Sequence, residues 1–142
     1  MMPGFFSGSE LRIVKTPQMG VPRCGACGLY KKCKSSKMEV TGEGRKRVLL
    51  VAEVPGPTED EKGIQLCGRT GQHLEKVLAG INIDMRKDCW LTNSVICFTH
   101  KDNGKYRNPT DKEVEYCRPN LFNTINRLNP DVVILLGGVA VS

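Results

Sequence analysis

The chain lacks any apolar run near membrane-spanning length, which excludes a helical membrane anchor from its classes of function. Its opening residues, MMPGFFSGSE, have no basic start and no continuous apolar segment, which argues against a secretory signal. There is no internal repeat. Histidine is scarce: His73 and His100 are the two, and neither has a partner at a metal-ligand spacing, so both read as surface or helix-face residues. The seven cysteines are odd in number and include one close Cys-x-x-Cys pair, which fits poorly with a secreted disulfide framework. Clustered thiols in a reducing compartment bind metal, and the expected localisation is therefore cytoplasmic.

What is present describes a globular domain. The 142 residues are 39% hydrophobic and 25% charged, enough for one domain with a modest core. The net charge of +6 is unevenly spread. Residues 1–47 hold ten Lys or Arg against three acids, a local +7, and the remaining 95 residues are close to neutral. A basic end beside a neutral body is the electrostatic outline of a nucleic-acid binder, and equally of a solvated arm. Pro3, Pro17 and Pro22 with Gly4, Gly8 and Gly20 make residues 1–22 an irregular basic arm, and 23–142 the folded domain.

Three apolar runs predict buried strands: Val48–Ala52, Trp90–Ile96 and Asp131–Leu136. Between them the pattern predicts a rigid loop through Glu53-Val54-Pro55-Gly56-Pro57, then a helix over 72–79 with Leu74, Val77 and Leu78 on one face. A polar loop over 99–109 follows. Thr110-x-x-Glu113 has capping-box form and opens a helix carrying Val114 and Cys117. Pro119 predicts a break and a second helix to Leu128, with Leu121, Ile125 and Leu128 as its buried stripe. Strand–helix alternation implies a three-layer α/β/α domain with a central parallel sheet, incomplete at the C-terminus, and a site at the carboxyl ends of the strands.

Four thiols stand out. Cys24 and Cys27 form one pair, and Cys97 and Cys117 flank the polar loop. Four thiolates from three segments can close a zinc site or hold a [4Fe–4S] cluster. A zinc ribbon's second Cys-x-x-Cys is missing, which favours the cluster. Ordinary buried thiols are the plainer reading of Cys97 and Cys117. Cys33 is a rival ligand, whereas Cys67 and Cys89 look like spares. Glu53 at a strand end, beside a stiff Pro-Gly turn, can hold a water or a sugar. Gly56 lets a base or phosphate approach the backbone. The acids Glu59-Asp60-Glu61 read as solvated. Asn93 offers one acceptor and two donors to a base edge, although a lone Asn at a strand end is more often a turn former.

Together these residues resemble the iron–sulfur (family 4) uracil-DNA glycosylases. The resemblance runs from Cys24-Gly-Ala-Cys27 through Ala52-Glu53-Val54-Pro55-Gly56, Gly63-x4-Gly68-x-x-Gly71 and Thr92-Asn93-Ser94-Val95-Ile96-Cys97. It continues in Asn108-Pro109-Thr110, Glu113-x3-Cys117-x-Pro119 and Asp131–Gly137. It implies base-excision repair: hydrolysis of the N-glycosidic bond of a flipped-out deoxyuridine in DNA, with a structural [4Fe–4S] cluster on Cys24, Cys27, Cys97 and Cys117. Glu53 and Asn93 would be catalytic. Ala52, Val54, Pro55, Gly56, Leu66, Gly68 and Asn93 would line the substrate.

The sequence departs from that family in three places. Leu66 stands where an aromatic residue usually stacks on the base, Ala52 replaces a glycine, and the late histidine motif would lie beyond Ser142. The implied partners are uracil-containing DNA and a replication clamp or polymerase, the protein being otherwise a monomer away from membranes. The alternative is a non-catalytic cluster-bearing module of a larger replication or repair protein, such as an N-terminal domain of a phage or bacterial DNA polymerase.

Overall fold

Val48–Ala52, the apolar run that follows the basic stretch, forms β1 at the middle of a three-stranded sheet. The computed structural model describes residues 21–99 and 106–141. The expected arm over residues 1–20, His100 and the centre of the polar loop lie outside the described residues. β2 (Cys89–Asn93) and β3 (Val132–Leu135) flank β1 in the order β2–β1–β3, and both pairings are parallel. Parallel neighbours need crossover connections. Between β1 and β2 run α2 (Pro57–Lys62), α3 (Arg69–Ala79) and α4 (Met85–Asp88). Between β2 and β3 runs α5 (Asp111–Leu128). Before β1 lie α1 (Cys24–Cys27) and a 3-10 turn, Leu29–Lys32, and α6 (Gly138–Val141) follows β3.

The period-two alternation of the strands sorts the core onto two faces. Leu50 and Leu91 point to one, where with Met85 and Cys89 they form a cluster joined by Val48, Leu66, Leu74, Leu78 and Ile83. That is the α3/α4 side. Thr92 points to the opposite face and shares a cleft with Asn120 and Thr124 of α5. Opposite faces for the two crossovers follow from right-handed connections that run in opposite directions along the sheet. Leu49, Leu50 and Val51 are at most 1% exposed, and each such burial stabilises the fold by about 1.5–3 kcal/mol. The outer edge of β2 is covered by the segment around Thr41, whose N–H and C=O both bond Leu91 (3.1 and 2.9 Å).

Several expectations from the sequence are corrected here. The second strand ends at Asn93, and Val95 and Ile96 stay buried in the loop beyond it, packed with Cys117, Leu29, Val54 and Val114. Their burial, not strand pairing, explains their apolar character. Pro119 does not break the helix. The capping box of Thr110 and Glu113 starts one continuous α5, and Asn129 in the left-handed conformation ends it. The bond that Pro119 cannot make belongs to the carbonyl of Glu115, an exposed residue where water can donate instead. Leu121, Ile125 and Leu128 are half-buried, and Val77 is 52% exposed. β3 is not buried: Val132 to Leu135, on an outer strand of the sheet, are 37–49% exposed. The stiff loop after Gly56 is in part the helix α2, with Pro57 at its first turn. Asp60 is buried and accepts the N–H groups of Lys34 (3.2 Å) and Ser35 (3.0 Å), so it is not solvated.

Candidate functional site

Register places Ala52 opposite Asn93 and Val51 opposite Leu135, so Glu53, Asn93 and Gly137 lie together at the carboxyl edge of the sheet. The edge is stitched by backbone bonds: Ser94 N–H to Ala52 O (2.8 Å), Val95 N–H to Glu53 O (3.1 Å) and Leu136 N–H to Val51 O (2.9 Å). Ala52 and Asn93 continue the Leu50/Leu91 face, the face on which Leu66 also packs. Thus Ala52, Asn93 and Leu66, far apart in sequence, occupy one side of the sheet.

Asn93 is 2% exposed, and its Nδ2 has no hydrogen-bond partner among the described residues. A buried amide left in that state costs about 1–3 kcal/mol, a cost that a ligand acceptor would remove. The Ser94 hydroxyl beside it is equally buried and unpartnered. The Glu53 carboxylate rests against Gly137, where an added Cβ would stand 2.0 Å from Oε1. Gly137 has φ +90°, a left-handed conformation that suits glycine. The Tyr106 hydroxyl is held above its ordinary range by burial first and by the Glu53 charge second.

The loops at Gly56 and Gly68 share one acid, Glu59, which the sequence reads as solvated. Glu59 Oε1 accepts the Gly68 N–H (3.2 Å), and its Oε2 lies 2.8 Å from where a Cβ on Gly56 would stand. Gly56 and Gly68 cap the N-termini of α2 and α3. Arg86 donates to the carbonyls of Gln65 (2.8 Å) and Leu66 (3.0 Å). Leu66 itself sits at φ +53° with its side chain on the core cluster. Pro55 is fully buried and Val54 packs near Cys117, so these two turn their side chains inward and leave backbone to the site. The polar loop is anchored beyond Thr99 by Arg107, which forks onto both oxygens of Glu113 (2.7 and 2.8 Å). The signal for Glu59, Asp60 and Arg107 in the sequence was weak, since each works through a partner distant in sequence or through backbone.

The four thiols of the sequence pattern line one pocket. Cys24 and Cys27 are the first and last residues of α1, spaced i, i+3 so that they share a face, and Gly28 caps it in the left-handed conformation. Arg23 N–H bonds Tyr116 O (3.0 Å), tying α1 to α5. Cys97 follows β2 and Cys117 lies in α5, and Cys24, Cys27, Cys97 and Cys117 meet with Leu29, Tyr30, Val95, Ile96 and Tyr116 around them. Burial raises the Cys27 and Cys97 thiols and pushes Cys117 up to about 12, with the neighbouring sulfurs adding to the rise. Among the described residues no group of three or more His, Cys, Asp or Glu is arranged to hold a metal ion. The donor set around the pocket is all sulfur, which suits zinc and iron–sulfur clusters alike.

Residues 40–142 match the family model described as the uracil DNA glycosylase superfamily. A type-4 uracil-DNA glycosylase of Pyrobaculum aerophilum is 36% identical over 119 residues, 82% of this chain and 57% of the relative. One from Thermotoga maritima is 35% identical over 124 residues, 86% of this chain and 60% of the relative. The chain thus spans a little over half the length of these relatives. A DNA polymerase of Bacillus phage SP01 is 26% identical over 115 residues, covering 81% of this chain and 12% of the polymerase.

Proposed function

The chain belongs to the uracil DNA glycosylase superfamily, and on that premise we propose that the protein hydrolyses the N-glycosidic bond of deoxyuridine in DNA. The carrying observation is the unpartnered Nδ2 of Asn93, buried beside Ala52 at the strand ends where Glu53 also lies. A base still stacked in a duplex cannot reach such a site, so the nucleotide is flipped out. Asn93 Nδ2 then donates to uracil O4. Cytosine presents an amino donor at that position, which would leave two donors facing each other and the amide unpaired, a loss of about 1–3 kcal/mol. Glu53 holds the attacking water or offsets the positive charge that grows on the sugar as the C1′–N1 bond breaks. Water adds to C1′, one proton is released, and uracil departs as its anion.

Supporting the nucleic-acid reading, the exposed cations Arg23, Lys31, Lys32, Lys34, Lys37, Arg45, Lys46 and Arg47 fall in the basic N-terminal third, although Lys34, Arg45 and Arg47 are paired with Glu61, Glu43 and Asp131. Cys24, Cys27, Cys97 and Cys117 would hold a [4Fe–4S] cluster, which when bound supplies a covalent tie between α1, the loop after β2 and α5. A replication clamp or a polymerase remains a proposed partner. No helix among the described residues is long and apolar enough to cross a membrane.

A second reading is favoured by the polymerase match: a domain of this kind inside a larger replication protein, carried for DNA binding without catalysis. Uracil release from a single-uracil oligonucleotide separates the two. The glycosylase reading expects free uracil from the wild type and a loss of about 10²-fold or more in Asn93→Ala and in Glu53→Ala. Full activity in both variants removes the site assignment. Tight binding of DNA without any released uracil establishes the second reading.

A further inference from the structure

Gln65 sits in the loop between α2 and α3, next to Leu66, and is 0% exposed. A long amide in the core has to be paired, and this one is. Its Oε1 accepts the Thr41 hydroxyl (2.6 Å) and its Nε2 donates to Glu39 O (2.6 Å). Thr41 is in turn bonded through its N–H and its C=O to Leu91, two residues before Asn93 on β2. The side chain of Gln65 thus ties its loop to the strand that carries the buried Asn93 amide.

The backbone of the same turn is held from two further sides. Arg86 donates to the carbonyls of Gln65 and Leu66. A Cβ on Gly71, in the first turn of α3, would stand 2.0 Å from Leu66 O, so that helix lies directly against the turn. Leu66 has φ +53°, a left-handed conformation that leucine rarely adopts and keeps only where its surroundings enforce it. Its side chain packs on the core cluster of Leu50, Met85, Cys89 and Leu91, on the sheet face that Ala52 and Asn93 continue.

We propose that Gln65 is a positioning residue for the base site: its buried amide, received by Thr41 and Glu39, fixes the Leu66 wall before the substrate arrives. The flipped base then enters a preformed pocket, with no loop left to order around it. This rests on the reading that deoxyuridine is bound beside Asn93. A wall that meets the base alike in the ground state and the transition state acts on KM and leaves kcat unchanged. Ordering the wall in advance removes that cost from binding.

The test uses the full chain as wild type, Thr41→Val, Thr41→Ser and Gln65→Met. Thr41→Val removes the hydroxyl and Thr41→Ser restores it. Gln65→Met keeps the length of the side chain and removes both of its hydrogen bonds. Readouts are kcat and KM for uracil release from a single-uracil oligonucleotide, and hydrogen exchange of the peptide spanning residues 63–68 without DNA. Thr41→Val and Gln65→Met should raise KM about tenfold, with kcat within about twofold of wild type. Exchange of the peptide should quicken several-fold in both, and Thr41→Ser should match the wild type in every readout. A fall in kcat with KM unchanged would make the clasp merely structural and overturn the proposal. Wild-type KM and exchange in both Thr41→Val and Gln65→Met would overturn it as well, as would Thr41→Ser behaving like Thr41→Val. If the wild type exchanges slowly at the loop but releases no uracil, the glycosylase reading falls and the positioning role with it, while the clasp itself stands.

Discussion

Gly137→Ala tests whether the end of β3 shapes the site around Glu53. A Cβ there would stand 2.0 Å from Glu53 Oε1, 2.6 Å from Cδ and 2.8 Å from Cγ, where ordinary contact begins near 3.4 Å. The carboxylate must therefore move by about 1.4 Å, or the β3–α6 turn must shift instead. Alanine at φ +90° adds backbone strain of about 1–2 kcal/mol. For a chain of this length that lowers Tm by about 3–8 °C. A displacement of about 1 Å in a positioned catalytic group costs on the order of 10²-fold in rate. The paired control is Gly138→Ala, one residue on, where an added Cβ meets nothing within 4 Å. It should leave stability within about 0.5 kcal/mol and uracil release unchanged. The assay is release from a single-uracil oligonucleotide with thermal unfolding run alongside. Equal activity and equal Tm in the two variants would refute the placement of Glu53 against Gly137. A Tm loss in Gly137→Ala with full activity would keep the packing and show that the β3–α6 turn yields, not Glu53.

Arg107→Ala should destabilise the protein by about 2 kcal/mol at pH 7, since it strands the buried Glu113 carboxylate, while Arg107 itself is partly exposed and discounts the full buried-pair value. The Arg107 hydrogen bonds are the largest cause holding Glu113 below its ordinary value, so this stability is present above the unfolded carboxylate range near 4.5 and lost as pH falls through the lower folded value. Urea unfolding of wild type and variant should therefore converge in acid, and a gap that stays constant below pH 4 would count against the pairing. Pro119→Ala should stabilise the protein by about 1–2 kcal/mol, because the Glu115 carbonyl regains an N–H donor and only part of that gain is offset by a freer unfolded chain. An unchanged or lower urea midpoint would show that the helix is adapted to its proline.

The parts of this molecule legible in its sequence are those with local causes. β1 is an apolar run between charge and Pro-Gly, and its bounds follow from that alone. The start of α5 was readable because the Thr110–Glu113 box is a reciprocal bond between residues three apart. Cys24 and Cys27 share a face because four residues make one helical turn. The resemblance of the ordered motifs carried Asn93, Glu53 and the four thiols further than spacing could. The sequence is less legible where a partner lies far along the chain. Pro119 suggests a break because local rules see the missing bond, not the caps and packing that hold both ends. Val95 and Ile96 suggest a strand because burial in a loop and burial in a sheet select the same residues. Asp60 and Glu59 look solvated because backbone N–H donors leave no trace in composition.

The sequence by itself determined the class of the fold, the positions of the strands and the inventory of reactive groups, since these depend on periodicity and side-chain chemistry. Tertiary structure alone decided which groups meet: parallel register aligns Ala52 with Asn93, a left-handed Gly137 receives Glu53, and the return of the chain after β2 brings Cys97 to Cys24, Cys27 and Cys117. Such juxtapositions are set by long-range packing of elements, which no residue's neighbours in sequence record.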